Sequence, residues 1–430
     1  MAKPSKEITP ARLAAFNILK QVETGAFSSI LLASEELSLQ SVDRALCHEL
    51  VLGVLRWQLR LDKILEHFSK RAVESLDAPV RIALRIGLYQ LLYLSRIPAS
   101  AAVNESVSLV RAARLSSATA LVNAVLRRIT READYDPAAD VADPLERIAI
   151  QSSHPIWLID RWATAFGLDH TESFASANNM LPPVAFRVVA NRANESEVLS
   201  KLNTAESSDV VEGAWRISGA TSLLRELSAD GEIYLQDEAS QLVAHELEVK
   251  PGERVLDLCA APGGKTTLIA DGSEDSAFIV AADRSATRMA TVVNTMRLHR
   301  LKSIEPVLLD AVDQLPFAPR SFDKVLVDAP CSGTGTLRRN PEIRWRLTPV
   351  DIAKLAEQQK QILRRAIEMV KPGGRLVYST CSVEREENEE VIDAVLARDE
   401  RFQLLKTTRT WPQREGCDGF FVSSWRETAF

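Results

Sequence analysis

Two cysteines stand out by their neighbours. Cys331 lies in DAPCSGTG (328–335) and Cys381 in YSTCSVEREENEEV (378–391), each a small, polar, turn-forming context following an apolar run. A buried cysteine usually sits among apolar side chains as a small hydrophobe, and Cys47 in RALCHELVLGVLRWQL fits that description. Cys331 and Cys381 do not. A tight turn or helix start follows each, and its N–H groups are expected to lower the thiol pKa and favour the thiolate. Asp328, three residues before Cys331, adds a carboxylate. Two thiols and a carboxylate suit methyl transfer to carbon 5 of a cytosine. That carbon is a poor nucleophile until a thiolate adds to carbon 6 and makes it enamine-like. A carboxyl group near ring nitrogen 3 can stabilise or protonate the intermediate, and a base must then remove the carbon 5 proton so that the thiol is eliminated.

A methyl donor needs its own site. LDLCAAPGGKT (256–266) reads as a strand, a Gly/Pro turn and a helix. Gly263 and Gly264 would let the backbone pass close to a ligand, and the helix start offers free N–H groups. Neither the spaced GxGxxG of dinucleotide folds nor the GxxxxGK[ST] of P-loops is present. Asp283, Asp310 and Asp328 close the next three strands. A carboxylate at Asp283 can accept both hydroxyls of a ribose, Asp310 can reach an adenine amino group, and Asp328 faces the reaction centre. One such Asp is commonly only a helix N-cap. Three in succession opposite a glycine turn favour adenosine binding.

The elements that must hold these groups are legible from residue 250 onward. RVLDLC (254–259), AFIVAAD (277–283), IEPVLLD (304–310), DKVLVDAP (323–330) and RLVYSTCS (375–382) are short apolar runs separated by helical stretches. That alternation predicts a parallel sheet covered on both faces, with ligands beyond the carboxyl ends of the strands. Residues 8–130 read as helices throughout; RIALRIGLYQLLYL (81–94) suits the centre of a bundle, and Asp43 is the expected N-cap of the helix after it. TREADYDPAADVADP (130–144) looks like a linker, and VAFRVVAN (184–191) and GEIYLQD (231–237) suggest a small α+β module. The expected fold is therefore multidomain: an all-α bundle over 1–130, a linker over 131–150, an α+β connecting module over 151–240 and an α/β Rossmann-like domain over 241–430.

Composition narrows the setting. The 430 residues are 46% hydrophobic and 26% charged, as in soluble globular proteins. No run reaches membrane-spanning length and the first residues lack a signal-peptide core. Five scattered cysteines without a CxxC pair predict a reducing cytoplasm, no disulfide framework and no metal. The formal charge is −6, yet residues 1–130 hold 17 Lys and Arg against 11 Asp and Glu. A basic N-terminal module beside an acidic remainder hints at an RNA partner.

The motifs CAAPGGK (259–265), DAPCSGTGTLRRNPEIRW (328–345) and STCSVEREENEEV (379–391) resemble those of the RNA 5-methylcytosine methyltransferases. The resemblance implies that Cys381 is the nucleophile, that Cys331 helps release the product, and that Asp328 contacts the cytosine near the methyl donor. It also implies that Cys259, Ala260, Ala261, Pro262, Gly263, Gly264 and Lys265, with Asp283, Asp310 and Asp328, hold S-adenosylmethionine. The N-terminal segments RLAAFNILKQV, DRALCHELVLGVLRWQLRLD and LVNAVLRRI are similar to the NusB-type RNA-binding helical domain. That domain joined to this methyltransferase core is the layout of the RsmB (Sun, Fmu) family, which implies 16S ribosomal RNA as the substrate; a monomer is the default expectation. The target cytosine must be unstacked, so a loop or a flipped-out base is expected.

Arg338, Arg339, Arg344 and Arg346, interleaved with Trp345, form a basic stretch suited to phosphate contact and base stacking. Transfer RNA or large-subunit RNA as target, and a non-catalytic RNA-binding assembly factor, are the competing readings.

Overall fold

A computed structural model describes residues 8–35, 38–132, 134–219 and 222–428. The chain divides into two compact units, Met1–Met180 with Leu337–Arg346, and Leu181–Thr336 with Leu347–Phe430.

The first unit is helical. The helix Ala78–Tyr93 is apolar on nearly every side and packs against Pro10–Glu23, Ser41–Arg56, Gln58–Ser69, Ala99–Ala112 and Thr119–Ile129. Residues from all round it, including Ile82, Leu84, Ile86 and Leu88, are buried, as expected for a bundle centre. Its one buried arginine, Arg85, is satisfied by ion pairs to Asp62 at 2.7 Å and Glu23 at 3.1 Å. Cys47 is core, its thiol pushed up to about 12 by burial and by Glu35 and Asp43. Asp43 is not the N-cap. The helix starts earlier, with Gln40 as cap, and Asp43 lies in its first turn, where a carboxylate still favours the positive end of the dipole. In the polar stretch after this bundle, Tyr135 stacks on His67 at 3.9 Å and Ala138 is buried. The helices Pro144–Ser152, Ile156–Phe166 and Leu168–Ala177 complete this unit.

The second unit holds both sheets. Strands β1 (Val184–Val188), β2 (Glu206–Ser207), β3 (Ala214–Ile217) and β4 (Ile233–Leu235) form an antiparallel sheet in the order β2-β3-β1-β4. Strands β5 (Arg254–Asp257), β6 (Phe278–Asp283), β7 (Ile304–Leu308), β8 (Phe322–Asp328), β9 (Val370–Thr380), β10 (Phe402–Arg409) and β11 (Phe421–Glu427) form a seven-stranded sheet in the order β10-β11-β9-β8-β5-β6-β7. The five strands read from the sequence are parallel. The sheet as a whole is mixed, because β11 runs antiparallel to both β9 and β10. Order reverses between β5 and β8, and a crevice opens beyond their carboxyl ends at that switch. Among the described residues, no helix is long and apolar enough to cross a membrane, and no group of three or more His, Cys, Asp or Glu is gathered as a metal site would need.

Candidate active site

The two cysteines meet because two adjacent parallel strands end together. Val325, Leu326 and Val327 of β8 and Leu376, Val377 and Tyr378 of β9 are fully buried, which fixes both strands in the centre of the sheet. Their register pairs Asp328 with Ser379. Cys381 follows the last residue of β9 and Cys331 lies three residues past β8, so one lateral step brings Cys331 Sγ to 3.3 Å from Cys381 Sγ. The turns are also locked by backbone: Gly335 N–H donates to the carbonyl of Cys381 at 2.9 Å, and Gly419 N–H to that of Gly335 at 2.8 Å. A Cβ on Gly335 would lie 1.8 Å from the Gly419 carbonyl oxygen, so this approach requires glycine.

Asp328 is held at both oxygens. Ser379 Oγ donates to Oδ1 at 2.9 Å and Lys265 Nζ to Oδ2 at 2.7 Å. Burial opposes the Lys265 charge, but Asp328 beside it raises the ammonium pKa on balance. Asp257, ending the neighbouring β5, is fully buried; desolvation pushes its carboxyl up to about 7, although Thr266 Oγ1 donates to it at 2.7 Å. The Cys331 thiol is raised well above its ordinary value by its hydrogen bond to Cys381, by burial and by the nearby charges of Cys381, Glu387 and Asp328. The lowering expected from turn N–H groups is therefore not found at Cys331, because the anionic surroundings and the dry environment outweigh them.

Two cavities flank the loop after β5. One, of about 230 Å³, is lined by Cys259, Ala261, Asp283 and Asp310 together with Asp328, Cys331 and Cys381. The second, of about 170 Å³, is lined by Ala260, Pro262, Gly264 and Lys265 together with Tyr234 and Gln236, and shares Cys259, Ala261 and Asp328 with the first. Gly263 lines neither. It adopts φ +107° as the residue before the helix Gly264–Gly272, and a Cβ there would press on Val292 at 3.2 Å. A Cβ on Gly264 would meet Tyr234 at 3.0 Å, so neighbours within the chain fill the space this glycine leaves.

The carboxylate at Asp283 is not a helix cap. Ser285 caps the helix Ala286–Leu298 by accepting from Arg288 N–H at 3.3 Å, while Asp283 accepts from Ser285 N–H at 2.9 Å and faces Arg288 at 3.6 Å. Asp310 accepts from Val312 N–H at 3.1 Å. Arg288 also donates to the Ala261 carbonyl at 2.5 Å, tying the two sides of the cavity.

Residues 244–426 match the family described as 16S rRNA methyltransferase RsmB/F, residues 9–131 the NusB family, and residues 154–218 the ferredoxin-like domain of RsmF/B-like methyltransferases. Ribosomal RNA small subunit methyltransferase B of Pseudomonas putida is 38% identical over 90% of this chain and 89% of its own. The chain belongs to the RsmB/F methyltransferase family. The protein of the same name from Klebsiella pneumoniae is 34% identical over 97% of this chain and 98% of its own. The crystal structure of PH0851 superposes with a TM-score of 0.84 at 28% identity, covering 98% of this chain and 100% of that one.

Within this RsmB/F chain, some parts of the site carry no sequence signal. Tyr234 and Gln236 come from β4 and its end, some 90 residues before Asp328, and only the packing of the small sheet brings them to the loop. Ser379 is signalled only by alternation along β9. The basic stretch after Cys331 is a correction. Arg344 is fully buried in the helical unit, its guanidinium donating to the Ser153 carbonyl at 3.1 Å and Asn179 Oδ1 at 3.0 Å. Arg346 donates to the Val22 carbonyl at 2.9 Å and Trp345 Nε1 to that of Leu55 at 2.6 Å. Arg338 is buried and Arg339 half-buried. Arg344, Trp345 and Arg346 are spent on carbonyls at helix ends and turns, so they are not the exposed, phosphate-facing surface expected from charge alone.

Proposed function

We propose that this protein methylates carbon 5 of a cytosine in 16S ribosomal RNA, with Cys381 as nucleophile and S-adenosylmethionine as donor. The observation that carries this reading is the pair of sulfurs 3.3 Å apart in one cavity that Asp283 and Asp310 also line. When bound, S-adenosylmethionine supplies an electrophilic methyl group. Asp283, buried and oriented by Ser285 and Arg288, accepts ribose hydroxyls, and Asp310 serves the adenine. The loop from Cys259 to Lys265, most of whose residues line one or both cavities, would help to hold the donor.

On the acceptor side, Cys381, its sulfur 3.3 Å from that of Cys331, attacks carbon 6 as the thiolate. Asp328, fixed by Ser379 and Lys265, meets the ring at nitrogen 3, where Lys265 balances the charge that accumulates. After methyl transfer the carbon 5 proton is taken by a base and Cys381 leaves, with the Cys331 S–H stabilising the departing sulfur. The NusB-type helical unit and the family's ribosomal relatives support RNA, and 16S RNA in particular, as the acceptor.

The test is incubation of wild type, Cys381→Ala and Cys331→Ala with S-adenosylmethionine and 16S RNA, followed by a denaturing gel. A covalent protein–RNA band is expected with Cys331→Ala alone, and methyl incorporation with wild type alone. Normal turnover by Cys331→Ala would remove its assigned role. No incorporation by wild type into 16S RNA but incorporation into total RNA would move the substrate elsewhere.

A further inference from the structure

Behind the two sulfurs lies a polar cluster that the proposed reaction does not use. Glu387, in the turn Arg385–Glu387, is completely buried. Its Oε1 accepts from the Ser332 backbone N–H at 2.8 Å and from Gln359 Nε2 at 3.1 Å. Its Oε2 accepts from the hydroxyls of both Ser332 and Ser382. Those two serines are the residues that directly follow Cys331 and Cys381, and their hydroxyls lie 3.0 Å apart. Gln359 also donates to the Pro330 carbonyl at 2.9 Å, on the other side of Cys331. Tyr378 donates its hydroxyl to the Glu387 carbonyl at 2.6 Å, anchoring the clamp to β9.

A buried carboxylate that faces no cation is costly, and this one is compensated only by hydrogen bonds. Desolvation raises its pKa even against the four donors that favour the charged form. An apolar residue in its place would leave the buried Ser332 N–H without its acceptor. What the carboxylate does supply is two acceptor oxygens with several lone pairs, which can serve donors from two separate turns at once.

We infer that Glu387 is a positioning residue, whose carboxylate bridges the turns that carry Cys331 and Cys381 and sets the spacing between the two sulfurs. The inference rests on the proposed two-cysteine reaction for its meaning, but its geometric content does not. Removal of the bridge leaves the turns still tied through the Gly335 N–H on the Cys381 side, but loosens the spacing of the two sulfurs that attack by Cys381 and release through Cys331 share.

The experiment reads sulfur spacing directly. The full-length protein is treated with excess oxidised glutathione, and the Cys331–Cys381 disulfide is followed by mass spectrometry. Two thiols at 3.3 Å should cross-link readily in wild type, with two glutathione molecules released per bond formed. Glu387→Ala should cross-link at least ten-fold more slowly and lose at least thirty-fold in methyl-transfer kcat, with the dissociation constant for S-adenosylmethionine within two-fold of wild type. Glu387→Gln, which keeps the shape and one oxygen acceptor, should recover most of both. Ser332→Ala covers the case in which Glu387→Ala fails to fold, and should slow cross-linking about three-fold. Cross-linking at the wild-type rate in Glu387→Ala, or in Ser332→Ala where Glu387→Ala fails to fold, overturns the inference. Slowed cross-linking in a protein whose wild type methylates no RNA would sink the proposed reaction and leave the positioning role standing.

Discussion

Sixteen consecutive residues contain two opposite fates for polar side chains. From Cys331 to Thr336 the chain forms a turn in the catalytic unit; from Leu337 to Arg346 it belongs to the helical unit. Both stretches are rich in groups that could do chemistry. In the first, Cys331 lines a cavity with its sulfur turned to a second sulfur. In the second, Arg344, Trp345 and Arg346 are bonded to backbone carbonyls, an amide oxygen and a histidine nitrogen of the helical unit. The difference teaches that residue type signals capacity, while free valence signals function. A guanidinium with several acceptors already around it has little left for a ligand.

That contrast can be broken at several points. The largest effect belongs to the turn side: Cys381→Ala should reduce methyl incorporation to background while cofactor affinity, measured by calorimetry, stays unchanged. A residual rate near wild type would place the nucleophile elsewhere. Next is Asp257, which lines the neighbouring cavity. Its folded pKa near 7 exceeds the unfolded value, so the stability this group contributes is present below about pH 4 and is lost as pH rises through about 7. Asp257→Asn should therefore flatten the fall in denaturant midpoint across that window, a difference of the order of 4 kcal/mol; an unaltered slope would refute the buried-carboxyl account.

Arg344→Met tests the other side. It strands the Ser153 and Asn178 carbonyls and Asn179 Oδ1 and should cost about 3 kcal/mol in chemical denaturation. Burial and Arg56 hold the guanidinium pKa well below its usual value, so part of that loss is offset by relief of desolvation. A variant as stable as wild type would show that the guanidinium is dispensable to the helical unit. Smaller still, alkylation of Cys331 by iodoacetamide should set in at higher pH than that of an ordinary exposed thiol, because its own thiol is raised; peptide mapping against pH reads this. The smallest effect is expected for Arg346→Met on RNA binding. With its guanidinium already bonded to helix carbonyls, the salt dependence of the affinity should not change, whereas a phosphate contact would lower the slope by about 1.

Much of the catalytic unit is legible in the sequence because parallel strands announce themselves. Short apolar runs such as VLVD and LVYST must be buried on both faces, and the residues just after each run lie by necessity at the ligand-bearing edge. Asp283, Asp310, Asp328, Cys331 and Cys381 can be picked out in this way. The antiparallel β10 cannot, since Phe402–Arg409 is largely exposed along its length and carries no comparable apolar run, and in the buried β11 the serines of FVSSWRE interrupt the run. The helix at Ser41 begins two residues before the expected cap because Asp43 is as suited to a first turn as to a cap. The stretch 151–240, read as one module, spans helices assigned to the first unit and a sheet assigned to the second; local pattern distinguishes element types, not which core an element joins.

The sequence by itself determined the strand–helix alternation, the central bundle helix and the candidates for the reactive side chains, because each depends on local periodicity or on neighbours within a few residues. Only the tertiary structure decided that the two sulfurs lie 3.3 Å apart, that Glu387 bridges their turns, that Cys331 is raised rather than lowered and that Arg344 is buried among carbonyls. Those facts depend on which distant groups share a dry, crowded space. Hydrogen-bond satisfaction and desolvation act on that shared environment, and no window along the chain contains it.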